Sequence, residues 1–266
     1  MAPVEIPVPQ RLIVAGDFKP NVSLGMTAIL DVAQRLEAFA ATLARSGVVL
    51  KFNSVLRALG FHTLGNLRQR HMLHSFPDLK LIDISETMET DAMLLAPYEP
   101  LFLTVMCCAG VKGMRKVKET LVAHGSPNTI VLGVTVLTSL DDEECEAIFG
   151  AQVNPSVLKF ARMALQAGID GLILSPKEVA LIRQHHEFDR LVLVTPGIRP
   201  AWAAVGADDQ KRVMAPFAAI LAGADCIVVG RPITQAENPA DAVRWTLVEI
   251  EEGLVARAAQ KEGVPS

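Results

Sequence analysis

The sequence predicts a (β/α)8 TIM barrel, an α/β fold in a single domain over residues 1–266 with its core between about 11 and 260. Three observations lead there. Eight short apolar runs rich in β-formers recur along the chain. Segments with apolar residues at three- and four-residue spacing lie between them. The unusual polar residues gather at the C-terminal ends of the runs, where barrels of this kind place their chemistry. Several runs are apolar throughout, as parallel strands covered on both faces must be.

In chain order, "RLIVAGD" (11–17) comes first and ends on Asp17. "GMTAILDVAQRLEAFAATLARSG" follows at helical spacing and is expected to stop at Gly47, read as its C-terminal cap. "VVLKF" (48–52) is the second strand, with Lys51 near its end, and "DLKLID" (78–83) is read as the third. "LFLTVM" (101–106) is the fourth, and "TIVLGVTVL" (129–137) the fifth, followed by Thr138 and Ser139. "NPSVLKFARMALQAG" reads as a helix closing on Gly168, before the sixth strand "DGLILS" (170–175). "SPKEVALIRQHHE" opens with Ser175 and Glu178 at capping-box spacing, and its His185-His186 pair reads as solvated surface. "LVLVT" (191–195) and "CIVVG" (226–230) complete the eight. The rival architecture, an open doubly wound sheet, lacks the GxGxxG expected after its first strand.

Bulk properties exclude several classes. Half of the 266 residues are hydrophobic, the net charge is −4 and no long basic run exists, so nothing favours nucleic acid or an anionic membrane surface. The N-terminal residues lack the pattern of a secretory signal, and no uncharged apolar run reaches about 18 residues. Cys107, Cys108, Cys145 and Cys226 form no CxxC pair and have no histidines at metal spacing. They read as small buried hydrophobes of a reducing compartment, which makes a cytoplasmic protein the expectation.

The charges on the third run need an explanation. Alternate residues of a strand share a side, so Asp78 and Lys80 are expected to point together into the barrel. An unpaired charge there is costly, so each needs partners. Asp17 and Lys51 end neighbouring strands, and Asp83 lies just beyond. Opposite this array stand "TPGIRP" (195–200), a loop reaching "DDQ" (208–210), and "VVGRPI" (228–233). Gly230 admits close backbone approach, and Arg231 offers a fork of donors suited to phosphate oxygens. Loops after strands seven and eight of such barrels frequently hold phosphate. The loop between Arg199 and Gln210, with one Trp202 read as exposed, is expected to act as a lid.

These tracts together resemble the orotidine 5′-phosphate decarboxylase family in its bacterial form. The Asp-x-Lys-x-x-Asp element at 78-80-83 is shared with a wider group of phosphosugar enzymes, whereas "TPGIRP" combined with "VVGRPITQAENP" is more specific. The resemblance runs from Asp17 to about Arg244. It implies conversion of orotidine 5′-monophosphate to UMP, the last step of de novo pyrimidine nucleotide synthesis, without cofactor or metal. It also implies a homodimer of barrels with composite active sites. By that likeness Lys80 donates a proton to C6 as carbon dioxide leaves, and Asp78 sits beside the substrate carboxylate. Asp83 and Thr87 reach into the neighbouring subunit's site, while Asp17 and Lys51 bind ribose hydroxyls and extend the charge array. Thr138 contacts the pyrimidine and Pro196 lines its pocket. Arg199, Gln210, Gly230 and Arg231 hold the phosphate.

The chain departs from the family pattern at Gly16 in "VAGD", at Ile82, at Ser85 and Glu86 in "ISET", and in "MCCAG" (106–110). Glu86 is expected to bring an extra negative charge near the site. None of these positions carries an assigned chemical role. Two alternatives stand beside the decarboxylase: a metal-dependent sugar-phosphate decarboxylase or aldolase on the same scaffold, and a non-catalytic nucleotide-binding barrel. The first needs a further acidic ligand early in the barrel. The second gains little from a buried charge array.

Overall fold

Eight parallel strands form one sheet in a computed structural model that describes residues 4–203 and 214–263. They are β1 (Leu12–Ala15), β2 (Val49–Phe52), β3 (His74–Pro77), β4 (Phe102–Met106), β5 (Ile130–Val134), β6 (Gly171–Ile173), β7 (Val192–Thr195) and β8 (Cys226–Val229). The order β3-β2-β1-β8-β7-β6-β5-β4 leaves β3 and β4 at the two ends of the sheet. Sparse bonds join those ends and close the barrel: Leu101 N–H donates to the Ser75 carbonyl at 2.9 Å, and Leu81 N–H to the Thr104 carbonyl at 3.1 Å. Met106 N–H returns to the Leu81 carbonyl at 2.9 Å.

The helices are α1 (Ala28–Thr42), α2 (Ser54–Leu59), α3 (His62–His71), α4 (Ser85–Leu95), α5 (Gly110–Ala123), α6 (Asp142–Phe149), α7 (Val153–Ala167), α8 (Val179–Arg183), α9 (Pro216–Leu221), α10 (Arg231–Thr234) and α11 (Pro239–Lys261). Helix α7 ends as expected on Gly168, whose φ of 77° suits a residue without Cβ. At Ser175 the Glu178 carboxylate accepts the Ser175 N–H at 2.7 Å, half of the expected capping box, and α8 starts just after it. Helix α1 corrects the expectation for Gly47: it stops at Thr42, five residues earlier, and Gly47 serves the turn into β2 with φ 77°. The complete capping box is at Asp141 and Glu144, opening α6.

Strand alternation divides the core in two. Ile13, Val49, Phe76, Phe102, Leu132, Val134, Val194 and Val228 fill the barrel interior. Their neighbours Leu12, Val14, Leu50, Leu103, Val105, Val131, Leu193 and Ile227 pack outward under the helices. This parity positions the site. Asp17 keeps the phase of Ile13, Lys51 that of Val49, Asp78 that of Phe76 and Thr104 that of Phe102, all on the inward side toward the C-terminal mouth.

The third strand corrects the sequence reading. The strand is "HSFP", and "DLKLID" is the segment that follows it. Asp78 N–H still bonds the Phe52 carbonyl at 2.8 Å, but Lys80 adopts φ 51° and breaks the extended run. Leu81 then regains a single bridge to Val105. Asp78 and Lys80 do converge, through a turn rather than through strand alternation. The fifth strand is also shorter than expected, ending at Val134, so Thr138 lies in the turn beyond it.

Candidate active site

Four charged side chains form a continuous chain at the mouth. Lys51 Nζ lies 2.7 Å from Asp17 Oδ2 and 3.1 Å from Asp78 Oδ2, and Lys80 Nζ lies 2.8 Å from that same Asp78 oxygen. The other oxygens are held as well. Asp17 Oδ1 accepts the Asn53 N–H at 2.7 Å, and Asp78 Oδ1 accepts the Thr104 hydroxyl at 3.0 Å. The Lys51 and Asp78 side chains are each only 11% exposed, while that of Lys80 is 28% exposed. Burial alone would depress the Lys51 pKa, yet the carboxylates of Asp78 and Asp17 outweigh it and lift the value above the usual lysine range. The array therefore keeps a buried ammonium charged and presents a second ammonium, Lys80, to the opening.

Asp83 stands apart from this chain. It is exposed, its Oδ1 accepts the Ile84 N–H at 2.7 Å, and it forms no ion pair with Lys51 or Lys80. Thr87, in the first turn of α4, is exposed too. Asp83 borders a cleft of about 500 Å³ that is also lined by Arg57, Lys80, Ile82 and Asp91. A larger cavity of about 720 Å³ lies at the opposite barrel end around Asp225. There Asp225 is held by Arg183 at 2.6 Å and by the Leu193 N–H at 2.8 Å, an ion-pair network that fastens the strand starts. Charge geometry, not volume, marks the site.

Across the mouth, Pro196 directly follows β7 and Gly230 directly follows β8. Gly230 caps α10, and an added Cβ there would meet only Ala15 Cβ at 3.7 Å, so the protein itself leaves room above this backbone. Arg231 opens the same helix. Arg199 is tied to the far side of its loop through its N–H, which donates to the Met214 carbonyl at 2.9 Å. Gln210 and the loop expected to close as a lid lie largely outside the described residues. Trp202 corrects one expectation: it is half-buried, edge-on to Trp245 with ring centroids 5.5 Å apart.

The departures also find places. A Cβ at Gly16 would press on the Phe52 ring at 3.2 Å, so glycine there makes room for that ring. The Glu86 carboxylate faces Lys112 of α5 at 3.8 Å. Ile82 is exposed. Cys107, Cys145 and Cys226 are buried as read, but Cys108 is exposed. Burial pushes the Cys107 and Cys226 thiols far up, which keeps them protonated. His186 is surface as expected, whereas His185 packs edge-on against Phe188.

Sequence reasoning missed Thr104 altogether. Its signal was the parity two residues beyond Phe102 inside an otherwise apolar run. Among the described residues no three His, Cys, Asp or Glu side chains come together to hold a metal ion, and no helix is long and apolar enough to cross a membrane.

Comparison with known proteins bears on the family and the fold. The chain is 41% identical over 177 residues to the orotidine 5′-phosphate decarboxylase of Pseudomonas paraeruginosa, covering 66% of this chain and 74% of the relative. It is 39% identical over 188 residues to that of Actinobacillus succinogenes, covering 70% and 79%. The crystal structure of orotidine 5′-phosphate decarboxylase from Lactobacillus acidophilus superposes with a TM-score of 0.68 at 30% identity, over 90% of this chain and 98% of that one. An uncharacterized conserved protein from Geobacillus kaustophilus shares the fold, with a TM-score of 0.73 at 24% identity over 90% and 99% of the two chains. The strand-end charges and the Gly230-Arg231 turn all fall within residues 10–245, the stretch that matches the family model, and the chain thus belongs to the orotidine 5′-phosphate decarboxylase / HUMPS family.

Proposed function

We propose that this protein decarboxylates orotidine 5′-monophosphate to UMP in pyrimidine biosynthesis, using its own side chains and no cofactor or metal. The observation that carries the reading is the placement of Lys80 Nζ, 2.8 Å from a carboxylate that a second lysine also holds, at the open end of a buried array. Breaking the C6–carboxylate bond leaves its electron pair on C6 as a vinyl anion that the pyrimidine ring delocalises poorly. A fixed ammonium beside C6 stabilises that charge as it develops. Lys80 then transfers an N–H proton to C6 and recovers a proton from water. Asp78 holds the Lys80 ammonium in place, while Thr104 holds the other Asp78 oxygen.

The remaining roles follow the family pattern. Asp17 and Lys51 meet the ribose hydroxyls, Thr138 the pyrimidine, and Pro196 lines its pocket. Arg199, Gln210, Gly230 and Arg231 grip the phosphate, whose remote binding energy orients the base. Asp83 and Thr87 serve the site of a second copy in a cytoplasmic homodimer, a role that their exposure outside their own array supports.

The test mixes purified protein with orotidine 5′-monophosphate in EDTA and follows loss of its absorbance. Metal-independent turnover to UMP is expected. Turnover that vanishes with the chelator points to the metal-dependent branch of the family, and UMP binding without turnover to a nucleotide binder.

A further inference from the structure

We infer that Thr104 is a positioning residue for Lys80, acting through both the Asp78 carboxylate and the Lys80 backbone; this rests on the decarboxylase reading and deepens it. Thr104 is fully buried in β4, in the inward phase set by Phe102. Its hydroxyl donates to Asp78 Oδ1 at 3.0 Å and accepts the Lys80 N–H at 2.9 Å. One oxygen thus fixes both ends of the Asp78–Lys80 contact.

The geometry explains why a hydroxyl is needed. At Lys80 the chain takes φ 51°, a region that L-residues with long side chains visit rarely, and the regular ladder between β3 and β4 is interrupted. The Lys80 N–H faces β4 without a carbonyl to accept it, because the Thr104 carbonyl already takes the Leu81 N–H at 3.1 Å. The Thr104 hydroxyl supplies the missing acceptor. Having accepted there, it has one proton to give, and it gives it to the Asp78 oxygen that neither lysine holds. The preceding peptide is pinned from the other side, where Arg57 donates to the Leu79 carbonyl at 2.7 Å. Valine in place of threonine keeps the shape but removes both bonds. It leaves the Lys80 N–H and Asp78 Oδ1 without this partner in a dry place. Lys80 can then relax from the left-handed region, and its ammonium leaves the line to C6.

Steady-state kinetics of Thr104→Val and Thr104→Ser test this, with circular dichroism and melting curves on each variant. Thr104→Val is expected to fold and to lose about 10- to 100-fold in kcat while KM changes by less than about threefold, since the phosphate and ribose contacts are untouched. Thr104→Ser, which restores the hydroxyl without the methyl, is expected within about threefold of wild-type kcat. Thr104→Val within about twofold of wild type overturns the inference while leaving the functional reading standing. Equal losses in both variants also overturn it, because serine keeps the hydroxyl and would then behave like a variant without one. A wild-type protein without decarboxylase activity overturns the functional reading and this inference together.

Discussion

Lys51 shows at a single residue how burial and charge compete. Desolvation works against its ammonium, but Asp78 and Asp17 hold it from both sides and raise its pKa. A lysine pKa raised on folding adds stability that is complete below the unfolded value of about 10.4 and is lost as pH rises through the higher folded value. Lys51→Met is therefore expected to cost about 3 kcal/mol at neutral pH, by stranding Asp78 and Asp17. In denaturant melts on the alkaline side of neutrality, the gap between the two proteins should narrow only above about pH 10.4. A gap closing near neutrality would mean that the carboxylates do not hold the lysine. At Lys80 the consequence is chemical. Lys80→Ala should abolish turnover while leaving the fold and most UMP affinity intact, and near-normal turnover would remove the proton donor from the account. On the phosphate side, Arg231→Ala should weaken UMP about 10- to 100-fold and leave uridine affinity nearly unchanged, as calorimetry would read. Equal loss for both ligands would place Arg231 elsewhere.

Among the elements, β6 carries a constraint that periodicity cannot reveal. A Cβ on Gly171 would collide with the Val192 carbonyl of β7 and stand 2.8 Å from Leu132 Cδ2 of β5. Gly171→Ala is thus expected to cost about 3 kcal/mol in chemical denaturation while leaving kcat per folded molecule unchanged, since β6 carries none of the charged array. Full stability in that variant would mean that the barrel breathes at β6. Seven of the eight strands were legible in the sequence because a parallel strand buried on both faces has to be a short apolar run. The third was not. "HSFP" begins with an exposed histidine and ends with proline, so it lacks strand character, while "DLKLID" imitates it by alternation. The charged site was legible for the opposite reason: Lys51 and Asp78, poorly exposed at the barrel mouth, are tolerated there only in contact with each other and with Asp17 and Lys80. Thr104 was hidden because a buried hydroxyl inside "LFLTVM" reads as filler until its partners are known.

For the whole molecule, the unbalanced feature is the rim beside Lys80. Ile82 and Ile84 are 58% and 66% exposed, flanking an Asp83 that engages neither lysine of its own array. Apolar residues around a free-standing carboxylate at a mouth already holding two carboxylates and two ammonium groups suit a twofold contact, in which each Asp83 meets the other copy's Lys80. A composite site makes a specific prediction, because damage to the two halves then falls on different chains. Lys80→Ala and Asp83→Ala proteins should each be nearly inactive as homodimers. Co-expressed in equal amounts, half of the dimers are hybrids, and each hybrid has one site with both native residues and one with neither. About a quarter of wild-type activity should then return. The hybrid, separated by differently tagged chains, should titrate with one functional site per dimer. A purified hybrid that stays inactive would place both residues in the same site of one chain. Asp83 would then have to swing back toward its own Lys80, and the exposed isoleucines would need another explanation.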